Sequence, residues 1–495
     1  MARKADRFGT PDTRERLPSL VAVAGALAIA VLVSRAIWFG DPIADSDEQL
    51  YSLIGQQMLA GHVPFVDLWD RKPVGLFAIF AVAHGIFGPG VIAYQLVACG
   101  FTFAGSWLVY RLARALTDRF GACCAGMLYA MLMAVYGSHS GQSETFFMPL
   151  MLAALWLVRD PDHPHALRRA ACAMLLGGAA LQIKYTVLPQ CLLLGGWALL
   201  GQWRRGTGLA RLAGIALLFA ALGIAATLLV VACYASIGQL GALIEANVTS
   251  AFARGAAPLG RWTPGAALIV NPAVVLAFAG LYWSLRVDPP AERRIYALYA
   301  AWFAACLASV FLPATVYLYY LATIVPGAIL LAAPLLGARG RLGVVPGLAL
   351  LGIALALLHL PERYRLARQD IAAVDQLSRA IAPHLSPGQC LWVHDGPAAL
   401  YRLTGSCLPT RYIYPDHLDN LLEHDALGVS QPGEVARILS HRPGVVVVAD
   451  QPVTQQSPDV MALVRRTLAD DYMPLGSVMI RDRRVSAYRW RGAGG

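Results

Sequence analysis

Four carboxylates fall within eight residues in Asp41-Pro-Ile-Ala-Asp45-Ser-Asp47-Glu48. Leu50, Leu53, Ile54, Met58 and Leu59 then recur at helical spacing, with Gln49, Gln56 and Gln57 between them. That pattern predicts an amphipathic helix lying in a membrane interface. Beyond it come Gly61-His-Val-Pro64-Phe65, Asp67 and Trp69-Asp70-Arg71-Lys72-Pro73. Glu144 follows Ser138-His139-Ser140-Gly141-Gln142-Ser143, and Lys184 ends an apolar run in Gln182-Ile183-Lys184-Tyr185-Thr186. Only three of the 40 basic residues are lysines, Lys4, Lys72 and Lys184, so two of the three stand beside these acids. Carboxylates serve to move protons or hold cations, and lysines to hold anions. Ionisable groups at membrane depth are functional candidates by default. The plain alternative is an outward loop free to be acidic, with Asp70 paired to Arg71 and Lys72.

The elements that position these groups follow from composition. Of 495 residues, 57% are hydrophobic and 14% charged, and mean hydropathy is +0.54. Soluble domains carry about 25% charged residues. A wholly soluble enzyme, a disordered chain, a collagen and a disulfide mini-protein are therefore excluded. The net charge of +10 sits in small clusters beside apolar runs, which encodes topology and not a grip on nucleic acid.

A lipid core is crossed by about 20 apolar residues in a helix. Eleven spans are predicted, at 17–39, 90–114, 120–137, 144–158, 170–184, 186–203, 209–235, 265–285, 295–313, 316–337 and 341–360. The run 73–87 is read as a juxtamembrane helix. If it does not cross, Arg111/Arg114/Arg119, Arg159/Arg168/Arg169, Arg204/Arg205/Arg211, Arg286/Arg293/Arg294 and Arg339/Arg341 all fall on the side of the basic N-terminus. The reading is a cytoplasmic N-terminus at 1–16, a membrane domain at 17–360 with an outer loop at 40–89, and an outward C-terminal domain at 361–495.

After Pro361 the pattern changes. Helices are expected at 367–382, 416–427, 432–441 and 458–469. Strands are expected at Cys390–Val393 and Val445–Ala449, and a hairpin from Leu475–Ile480 with Val485–Trp490. The whole is a polytopic α-helical membrane protein with a C-terminal soluble α/β domain. Seven cysteines lie in apolar runs; Cys390 and Cys407 lie in the outward domain, where a bridge and free thiols are both open. A secondary transporter and a membrane scaffold are rival classes. A transporter predicts internal repeats and ionisable groups near the midplane, whereas here these groups gather at the outer boundary.

Asp45-Ser-Asp47-Glu48…Tyr51, then Gly61…Pro64-Phe65…Asp67…Lys72-Pro73, resemble the first-loop signature of the polyprenyl-phosphate-dependent GT-C glycosyltransferases. The branch it is similar to contains the protein O-mannosyltransferases, the lipid A aminoarabinose transferases and the lipopolysaccharide-core galacturonosyltransferases. The likeness extends to Glu144, Lys184, Tyr317-Leu-Tyr319-Tyr320-Leu…Pro326 and, in the tail, Leu400-Tyr401…Gly405…Pro409-Thr-Arg411-Tyr412. Arg71 departs from it, since the aminoarabinose branch has an acid there.

The resemblance implies a GT-C-like membrane domain in a bacterial inner membrane, with the C-terminal domain in the periplasm. It implies sugar transfer from a polyprenyl-phosphate donor to a lipid, glycan or protein acceptor, with inversion at the anomeric carbon. Asp47 is implied as the base by its matching position. Asp45, Glu48, Tyr51, Lys72, Glu144, Lys184, Tyr319, Tyr320, Arg254 and Arg261 are implied as substrate-binding residues. Asp45, Asp47 and Glu48 are also the candidate ligands of a divalent cation.

Overall fold

The computed structural model describes residues 17–255, 271–313 and 316–492. Arg261, one of the expected binding residues, and the start of the span expected at 265–285 lie outside the described residues. In chain order the first helices are α1 (Leu17–Arg35), α2 (Ser46–Leu59), α3 (Val74–Phe87), α4 (Val91–Ala113), α5 (Arg119–Val135), α6 (Ser143–Val158), α7 (Ala166–Leu181), α8 (Leu188–Arg204) and α9 (Leu209–Ser236). Longer apolar runs become helices because lipid offers no partner to a bare backbone amide. Among the described residues six helical segments are long and apolar enough to cross a membrane, and α5 and α6 are shorter apolar helices. On α9, Leu209, Leu217 and Leu229 are largely exposed, as befits an apolar helix bordered by lipid on much of its circumference.

The expected span at 316–337 is not one α-helix. It runs as a 3-10 segment (Leu318–Ile324), an α-helix (Val325–Ala332) and a second 3-10 turn (Ala333–Leu336). Pro326 and Pro334 each open a new segment, because proline donates no amide hydrogen bond to the turn before it.

α2 packs on α3, and α3 on α4. α3 has 14 residues, short of the length needed to cross, and buries Leu76, Phe77, Phe80 and Ala83. At Gly55 an added Cβ would lie 2.8 Å from the Phe80 Cβ and the Ala81 nitrogen, so only glycine lets α2 approach α3 so closely. Arg35 closes α1. Fully buried, it donates to the carbonyls of Ser138 (2.9 Å) and Ser140 (2.5 Å) and fixes the 137–142 loop beside α2.

The C-terminal domain holds a four-stranded sheet of order β1-β2-β4-β3, with β1 Leu391–Val393, β2 Val445–Ala449, β3 Tyr472–Ile480 and β4 Arg483–Trp490. β1 and β2 are parallel, with Leu391 opposite Val445; the other pairs are antiparallel, and Val445 faces Arg489. The expected hairpin is therefore β3–β4, turning at Arg481-Asp482. Its leading helix begins at Leu360, earlier than expected, directly after His359 in the left-handed region (φ 46). The helix expected at 416–427 is broken. Asn420 turns extended (ψ 125) after Pro415–Asp419, and its side chain accepts from the Leu422 amide to start a separate 3-10 turn, Leu421–Glu423. A short helix at Ala399–Thr404 was not anticipated. Cys390 and Cys407 are bridged.

Candidate active site

Asp45 has extended backbone and caps α2, its Oδ1 accepting from the Asp47 amide at 2.9 Å. One turn on, Tyr51 donates to Asp47 Oδ2 at 3.2 Å, the reach of an i,i+4 pair. Tyr319, from the 3-10 segment, donates to the same oxygen at 3.0 Å. Gln142 Nε2 bridges the two acids, 2.7 Å from Asp45 Oδ1 and 3.4 Å from Asp47 Oδ2. Tyr414, from the C-terminal domain, donates to Asp47 Oδ1 at 3.2 Å. Asp47 is half-buried, shielded yet reachable.

Electrostatics separate these acids. Burial pushes Asp47 up, but Lys72 and then the hydrogen bonds from Tyr319, Gln142 and Tyr414 outweigh it and hold the carboxyl below its usual value. Asp45 goes the other way, to about 7, through burial and the neighbouring Asp47 charge. Glu48 rises to about 8 through burial first and Asp45 second. Lys72 is raised: burial opposes its charge, and Asp47 and Asp70 more than restore it. Its Nζ lies 5.6 Å from the Tyr51 ring. A carboxylate that stays ionised thus faces a lysine that stays charged.

Glu48 does not face that space. Fully buried, it accepts from the Gly141 amide at 2.5 Å and from the Tyr94 hydroxyl at 3.3 Å. A Cβ on Gly141 would come within 3.0 Å of Glu48 Oε2 and 2.9 Å of Phe80, so the loop needs glycine there. Asp45 and Asp47 thus share Gln142, whereas Glu48 turns to Gly141 and Tyr94. Among the described residues no three His, Cys, Asp or Glu side chains gather to hold a metal ion.

Glu144 and Lys184 meet each other. Their ion pair is buried, Ser143 donates to Glu144 Oε2 at 2.9 Å, and Lys184 Nζ sits 3.7 Å from the Tyr320 ring centre. Lys184 Nζ also lies 5.6 Å from the ring of Tyr319, which reaches Asp47. Arg254 donates to the Tyr317 hydroxyl at 2.9 Å, and its Nε lies 2.8 Å from Glu423 Oε1. Glu423, with 1% of its side chain exposed, also forks onto Arg71. Arg71 thus makes a partner of the C-terminal domain, which no first-loop pattern could state.

Sequence reasoning missed Tyr414 and Glu423 and gave Gln142 no role. Gln142 had a signal, its place two residues before Glu144 at a helix start. Tyr414 and Glu423 had none, because they arrive from a domain more than 350 residues away in the chain.

The architecture is that of two solved structures of ArnT from Cupriavidus metallidurans. The one bound to undecaprenyl phosphate superposes with a TM-score of 0.65 at 16% identity over 96% of this chain and 99% of that one. The apo structure gives 0.64 at 15%, over 95% and 98%. This is the GT-C glycosyltransferase fold. The archaeal oligosaccharyltransferase AglB from Archaeoglobus fulgidus, solved with an inhibitory peptide and a dolichol-phosphate, shares the GT-C frame at a TM-score of 0.50 and 13% identity, over 86% and 69%. The family model for dolichyl-phosphate-mannose-protein mannosyltransferase matches residues 71–232, a third of the chain, from Arg71 through α9. No curated protein matches by sequence. The ArnT match spans both the membrane domain and the C-terminal domain, so the GT-C frame here includes the tail.

Proposed function

We propose that the protein is a polyprenyl-phosphate-dependent glycosyltransferase working on the outer face of a bacterial inner membrane, with Asp47 as its base and Lys72 as its phosphate ligand. The carrying observation is the Asp47 carboxylate, which accepts hydrogen bonds from three tyrosines and one glutamine and lies close enough to Lys72 for that charge to lower its pKa. The solved relative bound to undecaprenyl phosphate supports the donor class.

A polyprenyl tail lies in the bilayer, which leaves its phosphate at headgroup level. Lys72 meets the phosphate as a point charge and stabilises it as it leaves. The acceptor oxygen attacks the anomeric carbon from the side opposite the phosphate and inverts it. The carbon–oxygen bond to phosphate breaks with its electron pair, and the acceptor's proton passes to Asp47. Phosphate needs no acid to depart; the hydroxyl needs a base. Donor binding also readies that base. With the phosphate on Lys72, the charge that holds Asp47 low is answered by another anion, and the carboxylate becomes more basic when it is needed.

Arg254 is the second candidate phosphate ligand, reached when it parts from Glu423. Tyr51, Tyr319 and Asp45 hold Asp47 in place, Tyr320 rests on the Lys184–Glu144 pair, and Glu48 anchors α2 to the 137–142 loop. The test is Asp47→Asn and Lys72→Ala in the full chain, with envelope glycolipids and glycoproteins compared by mass spectrometry. Both variants should leave the acceptor unglycosylated. Full product from both would refute the assignment.

A further inference from the structure

The two oxygens of Asp47 are unequally occupied. Oδ2 receives Tyr51, Tyr319 and Gln142, which fills both of its lone-pair directions. Oδ1 receives Tyr414 at 3.2 Å and, among the described residues, no second hydrogen bond. One lone pair of Oδ1 is therefore left without a donor among the described residues.

Tyr414 is not placed there by chance contact. It precedes Pro415, which restricts it to extended backbone, and it shows φ −76 and ψ 123. Its ring lies 5.3 Å from that of His417, and His417 meets Trp69 edge-on at 4.7 Å. Trp69 and His417 are both buried, and the Trp69 amide donates to the Arg411 carbonyl at 2.9 Å. The segment 411–417 is thus clamped onto the same loop that carries Lys72. Glu423 fastens the far end through Arg71.

We propose that Tyr414 is a positioning residue of the transfer reaction, by which the C-terminal domain fixes the rotation of the Asp47 carboxylate and makes Oδ1 the oxygen that takes the acceptor's proton. This rests on the reading of Asp47 as base. In the step, the acceptor O–H bond gives its proton to Oδ1, the acceptor oxygen bonds to the anomeric carbon, and the sugar–phosphate bond breaks onto the phosphate. Tyr414 keeps its own proton throughout and touches neither sugar nor phosphate. The domain is then part of the catalytic apparatus, and not a docking module alone.

The experiment uses the full chain in liposomes, with the polyprenyl-phosphate glycolipid fraction of its native membranes as donor and envelope lipids of a deletion strain as acceptor. Tyr414→Phe keeps the ring on His417 and removes only the hydroxyl. It should lower kcat about ten- to a hundredfold, the size of one hydrogen bond to a charged group. KM for the donor should stay within about twofold, since Tyr414 touches neither sugar nor phosphate, and Tm should fall by no more than a few degrees, the cost of one hydrogen bond. Added to Asp47→Asn, the same change should cost nothing more, because it acts only through that carboxylate. Unchanged kcat in Tyr414→Phe beside an inactive Asp47→Asn overturns this proposal and leaves the base intact. A fall in kcat with a larger loss of Tm than that, an equal loss of donor affinity, or a further loss on top of Asp47→Asn, also overturns it. An active Asp47→Asn overturns the base reading beneath it.

Discussion

The molecule holds two pairings of a carboxylate with a lysine, and they are built to opposite ends. Glu144 and Lys184 lie buried, in direct contact, with Ser143 and the Tyr320 ring completing their surroundings. Asp47 and Lys72 are half-buried and form no direct hydrogen bond; the hydroxyls around Asp47 belong to tyrosines from three stretches of chain. A closed pair in low dielectric has spent its charges on itself and serves as structure. An open pair keeps both charges available to a ligand that brings a phosphate and a hydroxyl. On the proposed reading, a carboxylate and a lysine serve as scaffold where they close on each other and as chemistry where they stay apart.

The largest expected effect falls on the open pair. Asp47→Asn should cut transfer by about 10²–10⁴, the usual worth of a general base. Its Tm should barely move, and a large fall in Tm would place Asp47 with the scaffold. On the closed pair the order reverses. Lys184→Met leaves Glu144 as a lone buried charge and should cost about 3–5 kcal/mol in unfolding, while Lys184→Met with Glu144→Gln should regain most of it. If the double variant is as unstable as the single one, the pair is not the self-contained unit drawn here.

Lys72→Ala should weaken binding of undecaprenyl phosphate about ten- to a hundredfold, measurable by its stabilisation of the detergent-solubilised protein. Lys184→Gln, tested the same way, should change that binding far less, and equal losses would erase the distinction between the two lysines.

The smallest effect separates Glu48 from its neighbour Asp47. Glu48 has its carboxyl raised to about 8 by burial, above its value in the unfolded chain. The folded state therefore binds this proton more tightly than the unfolded state does. Its contribution is complete below the ordinary carboxylate range and is lost as pH rises from there through about 8. Glu48→Gln, which keeps the neutral shape, should flatten the fall of Tm between pH 5 and 9. A variant as pH-sensitive as the parent would show Glu48 ionised in the fold.

Much of the site was readable because membrane chemistry makes charge conspicuous. Asp45, Asp47, Lys72, Glu144 and Lys184 stood out as ionisable residues beside apolar runs, and their local order gave α2 its cap and its i,i+4 tyrosine. The interruption of the expected 316–337 span was written in Pro326 and Pro334, though its consequence, a 3-10 segment that turns Tyr319 onto Asp47, was not. The break at Asn420 was harder, since asparagine is tolerated within helices and leaves them only when its side chain finds a better amide.

By itself the sequence determined that this is a helical membrane protein with a soluble tail, which boundary carries the unusual charges, and which carboxylates and lysines are candidates. Hydropathy and charge are properties of single residues and short runs, so they survive without a fold. Only the tertiary structure decided which lysine closes on which acid, that Asp45 and Asp47 share Gln142 while Glu48 turns to Gly141 and Tyr94, and that Tyr414 and Glu423 reach the first loop from the far end of the chain. Those outcomes depend on distances of a few ångströms between segments hundreds of residues apart, and the balance of burial against hydrogen bonding there exists only once the segments have met.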